Sequence, residues 1–254
     1  MPPNRSAPGR RSVGGRLFRW IGLLFVVFVI LTIAPVIAMR WVDPFTSAFM
    51  VRARLEALTA KDRTYQTRYE WRDYARISPH AAIAVVAAED QLFPFHHGFD
   101  LKSIKEVVDD ADGGRPRRGA STISQQVAKN LFLWPGRSYV RKGLEAWFTV
   151  LIETLWPKKR ILEMHLNIAE FGKGVYGVEA ASRRYFGKSA LALTRSEAAL
   201  LAAVLPNPAR LHADRPSRYV NSRREWILGQ MAGLGGPSYL RVINKDAGKA
   251  KRAR

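Results

Sequence analysis

Residues 78–100 read SPHAAIAVVAAEDQLFPFHHGFD, and the fold is read outward from them. Ser78-Pro79 is a helix start: serine caps the first turn, and proline is tolerated there because that N–H would have no intrahelical partner. The apolar run behind it has helical length and ends at Glu89, three residues after Val86 and four after Val85. That spacing puts Glu89 on or beside the apolar stripe of the helix. A carboxylate so placed is partly desolvated, which raises its pKa toward what a general base needs near neutral pH. Position alone also fits a plainer reading, a helix-end carboxylate paired with an arginine.

The helical pattern continues downstream. Asp100 can cap the run LKSIKEVVDD, and residues 109–119 form a polar, glycine-rich loop expected to be mobile. Thr122-x-x-Gln125 has the form of a capping box for a helix through Asn130. Ser138 begins a long helix to about Trp156, and another runs from Lys158 to Glu170, stopped by Gly172 and Gly174. A further helix is expected from Val175 to Phe186, ended by Gly187. Thr194-x-x-Glu197 is a second capping box, Pro206 and Pro208 stop its helix, and a last helix spans Arg218 to Leu234. No run of alternating strands and no internal repeat is evident, so the class is mainly α.

Upstream lies the segment that restricts function most. Residues 20–38, WIGLLFVVFVILTIAPVIA, are 19 residues without a charge, close to the length that crosses a hydrocarbon core. A cleaved signal peptide fits less well, because Met39, Arg40 and Trp41 follow instead of a small-x-small site. Arg5, Arg10, Arg11, Arg16 and Arg19 precede the span with no acid among them, so the N-terminus is expected in the cytoplasm and the rest outside the inner membrane. The net charge of +20 draws about half its excess from the two chain ends. Basic charge alone suits nucleic acid, anionic lipid or phosphorylated substrate; the anchor argues against nucleic acid. The absence of cysteine removes disulfides and thiolate metal sites. The expected organisation is a basic tail (1–19), an anchor (20–38), a juxtamembrane connector (39–70), a catalytic domain (71–236) and a basic tail (237–254). Within the connector, Phe45, Phe49, Met50, Leu55 and Leu58 keep helical spacings, fitting either a helix at the membrane surface or one packed on the domain.

The chemistry-bearing residues fall into five blocks. They are Glu89-Asp90 with Phe93, His96 and His97; Arg118 to Asn130, containing Ser121, Thr122, Gln125, Gln126 and Lys129; Arg137 with Arg141, Lys142 and Glu145; Glu163 to Asn167 followed by Gly172-x-Gly174-x-x-Gly177; and Glu197 to Pro208. In this order they resemble glycosyltransferase family 51, the peptidoglycan glycosyltransferases, over about residues 71–234. The chain resembles the monofunctional biosynthetic form, since no Lys-Thr-Gly triad and no length for a transpeptidase domain follow.

The resemblance implies a lysozyme-like, two-lobed helical domain and an inverting reaction. The 4-hydroxyl of a lipid-linked disaccharide-pentapeptide (lipid II) would attack the anomeric carbon of a growing glycan held on polyprenyl diphosphate, giving a β-1,4 link. Glu89 matches the family's general base. Lys129 and Arg137 match its diphosphate contacts. Glu145 matches its second essential glutamate, which would orient cations or hold a divalent cation (Mg2+ or Mn2+) on the substrate diphosphate; no organic cofactor is expected. Arg141 and Lys142 add positive charge. Ser121, Thr122, Gln125, Gln126 and Asn130 offer hydrogen bonds about a helix start that favours an anion. Asp90, Phe93 and His96 join the substrate-side set, His96 bracing the active-site loop. Cell-division or elongation proteins are the partners the family implies. Read alone, Arg141 and Glu145 at i, i+4 make an ordinary surface ion pair.

The remaining features are tested in the same way. The five histidines lack an HExxH frame, which argues against a zinc enzyme. His165 departs from the tyrosine usual before Leu-Asn in the family; a packing change with catalysis intact is expected. The glycine triplet 172–177 mimics a dinucleotide fingerprint but is expected to follow a helix, which rules that reading out. Residues 131–135, LFLWP, fit either a membrane-facing stretch or core. A lytic enzyme of lysozyme-like fold is the main rival. It would use one glutamate as an acid, but cleavage of finished glycan has no diphosphate to neutralise.

Overall fold

The computed structural model describes residues 13–100, 121–136 and 138–244. The chain divides into two compact units, Met1–Trp41 and Val42–Arg254. Arg5, Arg10 and Arg11, the expected helix after Asp100, the loop 109–119, Arg137 and the tail from Lys245 lie outside the described residues.

The first unit is built on one helix, α1 (Val13–Met39). Its stretch Arg16–Met39, 24 residues, is long and apolar enough to cross a membrane. Leu24, Phe25 and Leu31 are more than half exposed, unlike the side chains of a soluble core helix.

In the second unit, α2 spans Ala48–Thr59, α3 Pro79–Glu89, α4 Ile123–Phe132, α5 Tyr139–Leu155, α6 Lys158–Ile168, α7 Val178–Phe186, α8 Arg195–Val204 and α9 Arg218–Gly233. Local signals set the starts. Ser78, Thr122, Ser138 and Thr194 each accept a backbone N–H with the side-chain oxygen, and both capping boxes form in full. Each satisfies donors that a helix start otherwise leaves unpaired. Gly187 ends α7 in the left-handed conformation, φ 68°.

Helix α3 is not amphipathic: every residue from Ala81 to Ala87 is buried. It packs on α8 and α9 and touches α6, while α4 packs on α5 and α6. Ile83, Val86, Ile123, Val127, Ile152, Ile161 and Leu166 form the fully buried centre. Burying each such side chain contributes about 1.5–3 kcal/mol relative to exposure. Glu89 therefore ends a helix covered on all faces, which differs from the stripe expected of its sequence.

The mainly helical class holds, with a short sheet that no alternation in the sequence announces. A small sheet of order β1-β3-β2 joins β1 (Arg68–Tyr69), β2 (Glu170–Gly172) and β3 (Val175–Tyr176). Strand β1 runs parallel to β3, and β2 antiparallel to it. Helix α6 thus stops at Ile168 and α7 starts at Val178; the residues between make a hairpin. The glycine triplet serves that hairpin and its exit. Gly174 (φ 73°) and Gly177 (φ 83°) occupy the region that favours glycine, and a Cβ at Gly177 would stand 2.6 Å from the Asn167 carbonyl oxygen. The dinucleotide reading fails because these strands form an antiparallel hairpin, not because a helix precedes the glycines.

Asn167 and Glu163, from the fourth sequence block, hold the chain entering the domain. Asn167 accepts from the Arg72 N–H at 2.8 Å and donates to its carbonyl at 2.9 Å. Glu163 accepts from the Tyr74 N–H at 2.6 Å and pairs with Arg160. Their side chains are committed to the scaffold.

Candidate active site

The end of α3 meets α4 and α9 at Glu89. Its Oε2 accepts a hydrogen bond from the Gln126 amide at 3.1 Å, and Arg223 of α9 approaches Oε1 at 3.5 Å. The Glu89 side chain keeps 16% of its exposure, enough for a substrate hydroxyl to reach it. Burial pushes its pKa above the ordinary glutamate value, against the pull of the Gln126 amide, Arg223 and Lys129. A carboxylate with few donors and little water is a stronger base than one in solution.

One turn along α4, the half-buried Lys129 lies over the Phe49 ring of α2, 5.7 Å from its centroid. Burial pushes its pKa down; Glu145 and Glu89 oppose that push, while Arg141 and Lys142 add to it. Among the described residues no carboxylate stands within ion-pair distance of it; Glu145 and Glu89 act on its charge from farther off.

Glu145, on α5, is only 2% exposed. One oxygen takes Arg141 at 2.7 Å and the other takes Lys142. Arg141 is itself buried, so its pair with Glu145 is no ordinary surface bridge. Arg141 and Lys142 of the third block are gathered by an interior carboxylate. Both its oxygens are taken, and among the described residues no three His, Cys, Asp or Glu side chains converge. That donor set does not fit a divalent cation held by protein alone.

Several residues expected on the substrate side make their contacts within the scaffold, and His96 braces the loop as expected. Asp90 is buried; its carboxylate accepts the Ile123 N–H at 2.9 Å and the His96 Nε2–H at 2.9 Å. The anion at the start of α4 is thus the protein's own carboxylate. His96 Nδ1 accepts from the Gly98 N–H, and Thr122 Oγ1 donates to the Gly98 carbonyl, so His96 holds the chain after α3 against α4. Gln125 spends its carbonyl on the Thr122 N–H. Phe93 is 0% exposed, under Lys158 at 4.5 Å, and is a packing residue. Ser121 and Asn130 stand half-buried near the two ends of α4. In the LFLWP stretch Leu131 and Leu133 are core while Trp134 is exposed.

Sequence reasoning missed three features. Arg223 sits in an arginine-rich helix where nothing marks it as facing Glu89. Ser124 donates to Glu153, which also pairs with Lys158 at 2.8 Å; this buried cluster ties α4 to α5 and α6. His165 is not a packing residue alone: its Nε2 lies 3.1 Å from the Gln126 Oε1.

Comparison with known proteins agrees with this constellation. The family described as Transglycosylase matches residues 56–232. The chain is 53% identical to the biosynthetic peptidoglycan transglycosylase of Xanthomonas campestris pv. campestris (strain B100), over 95% of each chain. It is 53% identical to the protein of that name from Xanthomonas axonopodis pv. citri (strain 306), over 94% of this chain and 96% of the relative. The corresponding figure for Xylella fastidiosa (strain M23) is 52%, over 87% and 93%. A family match over most of the chain, and relatives about half identical over nearly its whole length, lead to one conclusion: the chain belongs to the transglycosylase family, among the peptidoglycan glycosyltransferases.

Proposed function

We propose that the protein polymerises glycan strands from lipid II at the outer face of the inner membrane. Glu89 takes the proton from the acceptor's 4-hydroxyl as that oxygen bonds to the donor's anomeric carbon. The bond from that carbon to the diphosphate oxygen breaks, and its electron pair leaves with the polyprenyl diphosphate. Attack opposite the leaving group turns an α-linked donor into a β-1,4 product. Lys129 takes up the leaving group's developing charge, Arg141 and Lys142 add positive charge, and the resemblance assigns Arg137 to the same task. With that charge neutralised, the leaving oxygen needs no proton.

The observation that carries this reading is Lys129, a half-buried cation on the helix whose Gln126 bonds Glu89, with no carboxylate within ion-pair distance among the described residues. A lytic enzyme would have no diphosphate for it to meet. A divalent cation, Mg2+ or Mn2+, would arrive with the substrate diphosphate, because the oxygens of Glu145 are already taken. Helix α1 anchors the chain, with its N-terminal arginines in the cytoplasm and the second unit in the periplasm. Cell-division or elongation proteins would be its partners.

The test is incubation of the full-length protein in detergent with labelled lipid II. The expected product is long strands digestible by lysozyme, with polyprenyl diphosphate released in step. Fragments released from finished cell wall, with no polymer, would instead establish the lytic reading.

A further inference from the structure

We propose that His165 is a positioning residue for Glu89, acting through Gln126. This rests on the reading of Glu89 as the base.

The amide of Gln126 bridges two elements. Its Nε2 donates to Glu89 Oε2 at 3.1 Å, and its Oε1 faces His165 Nε2 at 3.1 Å. The chemistry fixes the direction of both bonds. An amide oxygen turned toward a carboxylate would repel it, so the NH2 faces Glu89. The oxygen then faces His165, whose Nε2 must carry the hydrogen. Each partner specifies the next: α6 holds His165, His165 orients the amide, and the amide holds one carboxylate oxygen. The other oxygen is left toward Arg223.

The ring has one usable state. His165 is 1% exposed, and its Nδ1 has no hydrogen-bond partner among the described residues. A second proton there would be a buried, unpaired donor beside Lys129. Burial first, and Lys129 second, push its pKa down to about 4, so the ring stays neutral at working pH. A residue kept for packing alone would gain by replacing that unsatisfied nitrogen with carbon. Retaining an imidazole is explained by the one bond it makes. Without His165 the amide oxygen loses its partner, and the side chain is free to swing away from Glu89. That removes a donor from the ionised carboxyl and raises the pH at which it loses its proton.

The groups facing Glu89 are Gln126 and Lys129 from α4, Arg223 from α9, and the adjoining Asp90. Those facing His165 are Gln126 and Lys129. The charged neighbours are unaltered by a change at 165, so a shift in the titration of Glu89 isolates the amide.

The experiment compares the full-length native protein with H165F, H165Y and E89Q. Two readouts are taken: the titration of the Glu89 carboxyl by carbon-13 NMR, assigned by difference from E89Q, and the pH profile of kcat and KM for polymerisation. H165F loses the donor, so the carboxyl should titrate at higher pH, the acid limb should move with it, and kcat should fall about tenfold with KM little changed. H165Y, whose phenol can donate, should restore both. Q126L cuts the same chain from its other end, and adding H165F to it should add nothing further. Where H165F folds poorly, H165M takes its place in both comparisons, since its flexible apolar side chain also lacks the donor. Native titration and native kcat in folded H165F, or additive effects with Q126L, would overturn it. Polymer from E89Q would overturn the base reading, while the NMR titration would still decide whether His165 governs the carboxyl.

Discussion

Glu89 is half-buried and Glu145 buried, and the surroundings of the two carboxyls differ in kind. Glu89 has one amide donor and a distant guanidinium; burial dominates, and its pKa rises. Glu145 has a cation on each oxygen and is closed off from substrate. The same side chain therefore takes opposite tasks. Where donors are few, the carboxyl is left reactive. Where cations saturate it, the carboxylate becomes the fixed point that gathers positive charge, and both carboxyls act on the charge of Lys129.

The sharpest way to break this comparison is Glu89→Gln. It keeps the shape and the contact to Gln126 but cannot accept a proton, so polymerisation should fall by about 10²–10⁴. The native pH profile carries the sign. The base works ionised and its pKa is raised, so activity is lost as pH falls through that raised value. An acid limb at the pH of an ordinary exposed glutamate would contradict the burial argument. Next is Lys129→Met, which keeps the apolar stem over Phe49 and removes the charge. A loss of about 10²–10³ in kcat is expected, while the melting temperature should hold or rise because a desolvated charge is gone. Glu145→Gln should act mainly on stability, since it strands Arg141 in the interior. Breaking a buried pair costs about 3–5 kcal/mol, readable as a lower urea midpoint; a variant as stable as native would show that the carboxylate does not hold the cluster. The smallest effect is expected at Lys142, whose side chain is 52% exposed. Lys142→Ala should change stability by less than about 1 kcal/mol, even though it contacts the same carboxylate.

What was legible in the sequence follows the range of the interactions. Helix starts were legible because a cap and its partner lie within three residues, as at Thr122 and Gln125 or Thr194 and Glu197. The sheet was not, because strands of two or three residues are shorter than any alternation that can be counted. In the site, the resemblance singled out Glu89, Lys129 and Glu145, which the structure brings into one charged neighbourhood. It could not separate groups facing the cleft from those holding it in place. Asp90, Phe93, Thr122 and Gln125 read as substrate-side because they share a motif with Glu89 or Lys129. Their side chains are spent on the helix α4 start and the core. Arg223 was invisible because 134 residues separate it from Glu89, and only the packing of α9 on α3 joins them.

The division of labour between the two poles is most directly tested by binding. Affinity for lipid II would be measured with the native protein, E89Q and K129M, beside turnover by each. The account predicts that E89Q binds like the native protein yet forms no polymer, whereas K129M loses both affinity and turnover. Loss of affinity in E89Q, or native affinity and turnover in K129M, would contradict it.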